Sequence, residues 1–236
     1  MTLKIPHGII AHRGASAEAP ENTLAAFQLA HDLGAAWVEF DVMLSQDGVP
    51  VVIHDMDLDR TTNGHGKVVD YTLEELQRLD AGKGEKIPTL ARTLELLQSL
   101  GLGANLEIKP NLNQEVETAE AVLVEVNKLW KQSPDLLLLS SFALDSLRRV
   151  HQLEPHWSRG LLLESWNEPW LSLAEIYAVQ TVNGPENVTH SQVKAIKQAG
   201  YDVLVYTIDD PIRAKECWDW GVTAVFTNNP RLLLKV

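Results

Sequence analysis

WVEFDV, at residues 37–42, carries the pattern that decides the fold. Successive side chains of a strand point to opposite faces, so Glu39 and Asp41 share one face and the apolar residues between them share the other. The apolar face suits packing beneath a layer of helices, which directs both carboxylates toward the mouth of a barrel. ANLEIK, at residues 104–109, repeats the pattern with Glu107 on the polar face.

Short apolar runs like these alternate with amphipathic helical patterns along the chain. Asn22 and Thr189 are placed to cap two of these helices, and each of the two ends at a glycine. Eight βα units predict an α/β fold of the (β/α)8 TIM-barrel class, in a single domain over residues 1–236. The alternative is an open doubly wound sheet, but its usual glycine-rich phosphate loop, GxGxxG or GxxxxGKS, is absent from the sequence. The predicted strands are residues 7–12, 37–42, 104–109, 136–140, 160–163, 179–183, 203–207 and 222–227.

One segment interrupts this alternation. After VVIHD, residues 56–88 are rich in Asp, Gly, Lys and Thr and contain one short helical pattern, TLEELQRL. We expect a small insertion after strand two. It would lie on the barrel face where active sites are built, and it is placed to form a lid.

The bulk composition narrows the location and the partners of the chain. Its 32 acidic and 20 basic residues give a formal net charge of -12, so long-range electrostatics disfavour nucleic acid and anionic membranes. The apolar run near the amino terminus is too short for a signal peptide, and no run approaches the roughly 20 apolar residues that cross a bilayer. Cys217 is the only cysteine, which fits a reducing compartment. We expect a cytoplasmic protein that acts on a small molecule without stable membrane association; its oligomeric state stays open.

Three carboxylates are expected to meet at the carboxyl ends of the strands. Glu39, Asp41 and Glu107 offer oxygen donors without cysteine, a set that fits Mg²⁺ or Ca²⁺ better than zinc. The alternative is a group of internal salt bridges, with Glu107 pairing with Lys109 or Glu39 pairing with Arg13. The charge pattern alone leaves both interpretations open.

Two histidines occupy matching positions in the sequence. His12 ends GIIAH and His54 ends VVIH, so each is expected where a strand delivers a side chain to the active-site face. Two imidazoles beside three carboxylates suit a general acid and a general base. Arg13 and Lys109 add positive charges that would hold and polarise a phosphate. Residue types and spacing therefore predict a metal-assisted hydrolase or lyase acting on a phosphorylated substrate.

An ordered set of short motifs runs through nearly the whole chain. The motifs are HRG at 12–14, PENT at 20–23, EFD at 39–41, HD at 54–55, LDRTTNGHG at 58–66, IPTL at 87–90, EIKP at 107–110 and SSF at 140–142. In this order and spacing they resemble the glycerophosphodiester phosphodiesterases, and most of all the compact bacterial cytosolic members. The resemblance implies a barrel with a small insertion after strand two.

The resemblance also implies the main roles at the site. One divalent metal ion, Mg²⁺ or Ca²⁺, is expected on the positions that match Glu39, Asp41 and Glu107. The positions that match His12 and His54 act as acid and base in the family. These roles agree with the strand pattern.

Further residues are implied to contact the substrate. Arg13 and Lys109 match positions that contact phosphate. Glu21 is a candidate for substrate binding, although it could instead complement a helix dipole while Asn22 caps that helix. Tyr206 stands where many members carry tryptophan, so it is expected either to pack against the glycerol moiety or to belong to the barrel core.

In the mechanism usually proposed for the family, the substrate's own glycerol hydroxyl, activated by the metal and one histidine, attacks phosphorus. The other histidine protonates the departing alcohol, and a cyclic phosphate then opens with water. We therefore expect hydrolysis of deacylated phospholipids, such as glycerophosphocholine, to an alcohol and sn-glycerol 3-phosphate. Two alternatives are a phospholipase D-like activity on lysophospholipid head groups and a non-catalytic binding barrel.

Two positions depart from the family pattern. Residues 227–230 read TNNP where an aspartate commonly follows the threonine, and Asp209 replaces an asparagine that often follows the YT or WT pair. Both positions lie outside the proposed metal and histidine sets. They put the rim and the substrate end of the site in question rather than the chemistry.

Overall fold

The computed structural model of the chain describes residues 3–5 and 7–234. Within that part of the chain, eight parallel strands close into a barrel and a ninth strand, β3, lies outside the ring. The strands are β1 Gly8–His12, β2 Trp37–Leu44, β3 Pro50–Val52, β4 Gly103–Ile108, β5 Leu137–Ser141, β6 Ser158–Leu162, β7 Thr181–Pro185, β8 Asp202–Tyr206 and β9 Ala224–Thr227. The predicted TIM-barrel class is confirmed, and all eight predicted strands are present with ends shifted by one or two residues.

The ring closes because β1 pairs with both β2 and β9. The register of these parallel pairs sets polar residues side by side, with His12 opposite Glu39 and Asp41 opposite Glu107. Residues that are far apart in sequence therefore reach the same level of the barrel. This level is near the carboxyl ends of the strands, where barrel enzymes build their active sites.

Helices surround the barrel and follow most of its strands. They are α1 Leu24–Asp32, α2 Leu73–Leu76, α3 Leu90–Leu100, α4 Glu115–Leu129, α5 Leu144–Leu153, α6 Trp170–Ile176, α7 His190–Gln198, α8 Pro211–Trp220 and α9 Pro230–Leu233, with short 3-10 turns at Val68–Asp70 and Pro134–Leu136. Thr189 caps α7 as predicted, through a capping box with Gln192. In the described residues, no helix is at once long enough and apolar enough to pass through a bilayer.

Asn22 does not cap α1, contrary to the structural role considered from the sequence. The cap is Thr23, which has the extended backbone that an N-cap requires and whose side chain accepts a hydrogen bond from the backbone N–H of Ala26. Asn22 has a left-handed backbone with φ 58°. Its side chain is therefore free to point elsewhere.

The two faces of the strands have different partners, as the WVEFDV pattern predicts. Val38 and Phe40 belong to the large core between the barrel and the helices, where the ring of Phe40 lies 5.7 Å from that of Phe27 on α1. Inward-facing Ile10 and Phe226 belong to a separate apolar cluster. Apolar burial on both sides of the sheet is the main stabilising contribution expected for such a barrel.

The segment after β2 forms its own small core. The chain turns at Ser45, whose backbone N–H donates to Val49 O, and returns as β3, antiparallel to β2. This apolar cluster consists of Met43, Val51, Ile53, Leu58, Val68, Leu76, Ala81 and Ile87. The segment is thereby held against one side of the barrel mouth.

His54 reaches the mouth by a different route from the one predicted. The strand before it, β3, ends at Val52 and is antiparallel to its neighbour β2. His54 therefore does not follow the carboxyl end of a barrel strand. The backbone N–H of Ile53 donates to Asp41 O at 3.1 Å. This bond brings the following imidazole back to the level of the carboxylates.

Candidate active site

The HRG motif builds the turn that follows β1. Arg13 and Gly14 both have left-handed backbones, with φ 56° and 79°. A Cβ at Gly14 would lie 2.6 Å from the backbone carbon of Ala26, so only glycine fits where the turn crosses α1. The turn aims the backbone N–H of Arg13 at Glu39 Oε2, at 2.9 Å.

The PENT motif fixes a second turn against the first. The N–H of Asn22 donates to Arg13 O at 3.1 Å, and its side-chain Nδ2 donates to Asp41 Oδ2 at 2.8 Å. Asn22 is buried. It therefore orients a carboxylate of the site, a role that the sequence did not reveal.

Three buried carboxylates converge at the mouth. Glu39, Asp41 and Glu107 each offer an oxygen, and these oxygens lie within 4.8 Å of one another. Burial and the Asp41 carboxylate raise the pKa of Glu39 well above its usual value, and the same two causes raise that of Glu107 to about 8. Buried like charges at such distances are unfavourable without a cation. The donor set, all oxygen, is suited to a hard divalent metal ion.

Two side-chain cations face Asp41 rather than the partners considered from the sequence. Lys109 Nζ lies 3.7 Å from Asp41 Oδ1, and Arg13 Nε lies 3.4 Å from Asp41 Oδ2. Burial acts to raise the pKa of Asp41, but Lys109 and Arg13 outweigh it, and the pKa lies below its usual value. The side-chain pairs of Glu107 with Lys109 and of Glu39 with Arg13 are therefore wrong: Lys109 pairs with Asp41, and Arg13 pairs with Asp41 and Glu21.

A cavity of about 150 Å³ opens at this end of the barrel. Its walls are formed by His12, Arg13, Glu39, His54, Asn105, Glu107, Lys109, Phe142, Leu162, Tyr206, Thr207 and Phe226. Seven of the nine predicted site residues line it; Asp41 and Glu21 lie behind the wall. A wider groove between α1 and α3 is lined by surface residues such as Arg92 and Glu95, and it has no comparable group of buried ionisable side chains.

The imidazole of His54 is held by a charged partner. His54 Nδ1 lies 2.5 Å from Asp55 Oδ1, and Arg60 donates to both oxygens of Asp55. Burial lowers the pKa of His54. The guanidinium of Arg60 also donates to Glu21 at 2.6 and 2.8 Å, and Arg13 donates to the same carboxylate at 2.8 Å. Glu21 thus joins two arginines.

Arg60 is a site residue that the sequence analysis missed. It belongs to the LDRTTNGHG motif at 58–66, which was recognised as a whole without a role for its arginine. A partly buried carboxylate is commonly stabilised by a cationic partner. An arginine within the same set of motifs as Glu21 and Asp55 was the signal that could have identified it.

The imidazole of His12 is held by a neutral partner. His12 Nδ1 lies 2.7 Å from Asn228 Oδ1, and Nε2 lies 3.9 Å from Glu39 Oε2 on the cavity side. Burial, followed by the charge of Arg13, lowers the pKa of His12. Asn228 is the second residue of TNNP, one of the two departures from the family pattern.

Tyr206 belongs to both the cavity wall and the core. Its hydroxyl donates to Leu163 O, and its ring meets Phe142 edge-on at 6.1 Å and Phe226 at 6.5 Å. Burial raises the pKa of Tyr206. The ring therefore presents a fixed aromatic surface to the cavity.

Comparison with known proteins gives a consistent result. The model of the glycerophosphoryl diester phosphodiesterase family matches residues 12–232. A glycerophosphodiester phosphodiesterase of Caldanaerobacter subterraneus subsp. tengcongensis is 36% identical over 97% of this chain and 96% of its own length. A glycerophosphodiester phosphodiesterase of Bacillus subtilis is 34% identical over 96% of this chain and 85% of its own length.

Solved structures agree with the relatives in sequence. A phosphodiesterase of Oleispira antarctica, in complex with the product sn-glycerol-3-phosphate, superposes with a TM-score of 0.94 and 40% identity, over 98% of this chain and 96% of its own. A glycerophosphodiester phosphodiesterase of Agrobacterium tumefaciens gives a TM-score of 0.82 at 30% identity over the whole of both chains. The family resemblance of the sequence motifs is confirmed: the chain belongs to the glycerophosphoryl diester phosphodiesterase family and is an enzyme of that class.

Proposed function

We propose that this enzyme hydrolyses glycerophosphodiesters, the deacylated phospholipids, to an alcohol and sn-glycerol 3-phosphate. One observation carries the proposal: the chain shares its fold over nearly its full length with the Oleispira antarctica phosphodiesterase whose structure contains that product. The small cavity, with buried carboxylates and two cations in or beside its wall, suits a compact anionic substrate rather than a polymer.

The two histidines are proposed as acid and base. One imidazole takes the proton of the attacking hydroxyl as the new oxygen–phosphorus bond forms, and the other gives a proton to the alcohol whose bond to phosphorus breaks. Water then opens the cyclic phosphate with the proton transfers reversed. His12 and His54 both line the cavity with one ring nitrogen already engaged, which leaves Nε2 of each ring for the substrate.

Charged and aromatic side chains are proposed to bind the substrate. Arg13 and Lys109 would hold the phosphate, because both cationic side chains line the cavity and each can donate to a phosphate oxygen. Tyr206 would pack against the glycerol moiety. Glu21 would act by holding Arg13 in place, since its carboxylate is bound by Arg13 and Arg60.

Glu39, Asp41 and Glu107 are proposed to hold one divalent metal ion, Mg²⁺ or Ca²⁺. Their convergent oxygens and their burial fit such an ion. When bound, it would neutralise the carboxylates and polarise the phosphoryl group.

The experiment that tests this function follows release of sn-glycerol 3-phosphate from glycerophosphocholine, with Mg²⁺ or Ca²⁺ and after removal of metal by a chelator. We expect turnover that depends on the metal and is lost in Glu107→Gln. Glu95→Gln is the matched control, because Glu95 pairs with Arg92 on the outer surface. Metal should also raise the melting temperature of the native protein and of the control, but not of Glu107→Gln. Absence of sn-glycerol 3-phosphate release from every glycerophosphodiester tested would contradict the proposal.

Lysophospholipids, cleaved at the head group, are a second candidate substrate. The structure exposes 81% of both Leu112, after β4, and Ile212, at the start of α8. Both follow carboxyl ends of barrel strands and so lie on the mouth side. Single exposed apolar residues are common on protein surfaces, which keeps glycerophosphodiesters as the leading substrate. Turnover on lysophosphatidylcholine, compared with glycerophosphocholine, decides between them.

The cytoplasm is the proposed location. The single cysteine, Cys217, is buried in α8 and offers no disulfide, as is usual in a reducing compartment. The net charge of -12 supports a small-molecule substrate over nucleic acid or anionic membranes.

A further inference from the structure

A continuous chain of hydrogen bonds extends from His12 to a carboxylate outside the cavity. His12 Nδ1 meets Asn228 Oδ1 at 2.7 Å, and Asn228 Nδ2 donates to Asp209 Oδ2 at 2.8 Å. Asp209 follows β8 and Asn228 follows β9, so two neighbouring strand ends supply the chain. Neither residue lines the cavity, and His12 is the member of the chain that does.

The carboxylate of Asp209 fixes the orientation of the Asn228 amide. Its oxygens accept from Asn228 Nδ2, from the backbone N–H of Asn228 and from Thr227 Oγ1, each at 2.8 Å. Burial acts to raise the pKa of Asp209, but these hydrogen bonds outweigh it and the pKa lies below its usual value. An ionised carboxylate only accepts hydrogen bonds. The amide nitrogen must therefore face Asp209 and the amide oxygen must face His12.

Contacts from the loop after β1 hold Asn228 from the other side. The hydroxyl of Ser16 lies 2.7 Å from His12 O and 3.0 Å from Asn228 Oδ1, so these two oxygens share its one proton. The backbone N–H of Ala17 donates to the backbone carbonyl of Asn228 at 2.9 Å. With its oxygen toward the imidazole, Asn228 can only accept from His12. The hydrogen bond consequently requires a proton on Nδ1.

We propose that Asn228 and Asp209 are positioning residues that keep neutral His12 as the Nδ1–H tautomer, so that Nε2, on the cavity side, exchanges the proton with the substrate. The catalytic consequence rests on the proposed function, whereas the tautomer itself does not. In other enzymes, a residue that is hydrogen-bonded to the second ring nitrogen of a catalytic or metal-binding histidine fixes its tautomer in the same way.

The two departures from the family pattern contact each other in the structure. The sequence has asparagine where aspartate commonly follows Thr227, and Asp209 where asparagine is often found. In the structure these two side chains are hydrogen-bonded to each other. The pair still contains one carboxylate and one carboxamide. The carboxamide of Asn228 contacts His12, and the carboxylate of Asp209 lies one hydrogen bond further along the chain.

The sharpest test is Asp209→Asn, which changes a carboxylate to an amide of the same shape. The oxygen of the new amide can accept from the backbone of Asn228 and from Thr227, while its nitrogen faces Asn228 as a donor. The side-chain amide of Asn228 is then expected to rotate by about 180°, so that its nitrogen donates to His12 Nδ1. The proton of the neutral imidazole then lies on Nε2. We expect this reversal of tautomer in the ¹⁵N resonances of His12, recorded at about pH 8.5, two units above the ordinary pKa of histidine. Loss of the resonances in His12→Gln assigns them.

The double variant Asp209→Asn with Asn228→Asp is the matched control. It returns a carboxylate acceptor to Nδ1 of His12 and should restore the Nδ1–H tautomer. With glycerophosphocholine as substrate, we expect Asp209→Asn to lower kcat by about 10-fold to 100-fold with KM nearly unchanged, and the double variant to recover most of this loss.

The two measurements separate failure of this inference from failure of the proposed function. An unchanged Nδ1–H tautomer in Asp209→Asn, or an Nε2–H tautomer in the native protein, overturns the positioning role whatever the activity. Tautomer changes as expected support the role of the pair even if glycerophosphocholine is not hydrolysed, in which case only the proposed substrate fails. If Asp209→Asn is unstable, Thr227→Val, which removes one donor to Asp209 but leaves the amide pair, should keep the native tautomer; a reversed tautomer there would contradict the inference.

Discussion

The two imidazoles at the mouth differ in what holds them. His54 is bound through Nδ1 by the residue next to it in sequence, Asp55, a carboxylate that Arg60 in turn holds. His12 is bound through Nδ1 by a carboxamide 216 positions away, Asn228. One histidine thus depends on a local charged pair in the segment after β2, and the other depends on closure of the barrel between β1 and β9.

This difference teaches that the mouth is assembled from two supports, which meet at Glu21 between Arg60 and Arg13. The support of His54 belongs to a segment with its own apolar cluster. The support of His12 belongs to the ring, because Asn228 and Asp209 extend neighbouring strands. Because Asn228 and Asp55 share no hydrogen-bond partner among the described residues, a change at one of them should leave the geometry of the other imidazole intact.

The largest effect is expected from removing either imidazole. His12→Ala and His54→Ala should each lower kcat by about 10²-fold to 10⁴-fold, because each removes a proton-transfer group. The double variant should be little worse than the more damaged single variant, since the two groups act in one step. Steady-state kinetics measure this, and His65→Ala, an exposed histidine of the same segment as His54, is the control. Near-normal turnover in either single variant would remove that histidine from the proposed mechanism.

A smaller effect is expected from making the support of His54 resemble that of His12. Asp55→Asn replaces the carboxylate by an amide and should lower kcat by about 10-fold to 100-fold, because Arg60 and His54 both lose a charged partner. The exposed pair of Asp59 with His65 has similar geometry, with 2.8 Å between carboxylate and Nδ1, so Asp59→Asn is a matched control. Equal kinetics for native protein and Asp55→Asn would show that a neutral partner serves both imidazoles.

The parts of the site that follow from local sequence patterns could be predicted, whereas the contacts between distant parts of the chain could not. Glu39, Asp41 and Glu107 were predicted to converge because strand alternation and barrel topology are local rules that act on each strand separately. Their meeting within 4.8 Å needs only that the strands be neighbours. The fold class was predictable for the same reason.

The contacts that could not be predicted join parts of the chain that no local pattern relates. The bond between His12 and Asn228 exists only once the barrel closes. The role of Asn22 depended on a left-handed backbone, which a motif that also suits a helix cap does not reveal. A strand was expected before His54, but its antiparallel course outside the ring was not predicted, because a three-residue strand carries no pattern that indicates its direction.

Arg60 gives a third and weaker test of the comparison. Its side chain is about half exposed but donates to Asp55 and Glu21, so Arg60→Ala should lower kcat several-fold while changing the free energy of unfolding by less than about 1 kcal/mol. Arg60→Lys should recover only part of kcat, because an ammonium cannot bridge two carboxylates as the guanidinium does. Kinetics and urea unfolding measure both. Arg78→Ala, which breaks the exposed pair with Glu74, should change neither, and a similar kcat for all three variants would contradict the prediction.

The smallest effect concerns the acid stability of the His12 side. The pKa of Asp209 is lower in the folded protein than its ordinary value, because its hydrogen bonds outweigh burial. A group whose pKa is lower in the folded protein contributes its full stabilisation when the pH is above its pKa in the unfolded chain, about 3.9 for aspartate. This contribution is lost as the pH falls through the folded pKa. The native protein should therefore unfold at a higher urea concentration than Asp209→Asn at neutral pH, and the difference should shrink below about pH 4. Asp210→Asn is the control, because it removes a neighbouring charge at the cap of α8, where the carboxylate accepts from Ile212 N–H. It leaves the hydrogen bonds to His12 in place, so only Asp209→Asn should also reverse the tautomer of His12. A difference between native protein and Asp209→Asn that stays constant as the pH falls toward about 3 would show that this carboxylate does not stabilise the strand ends that position His12.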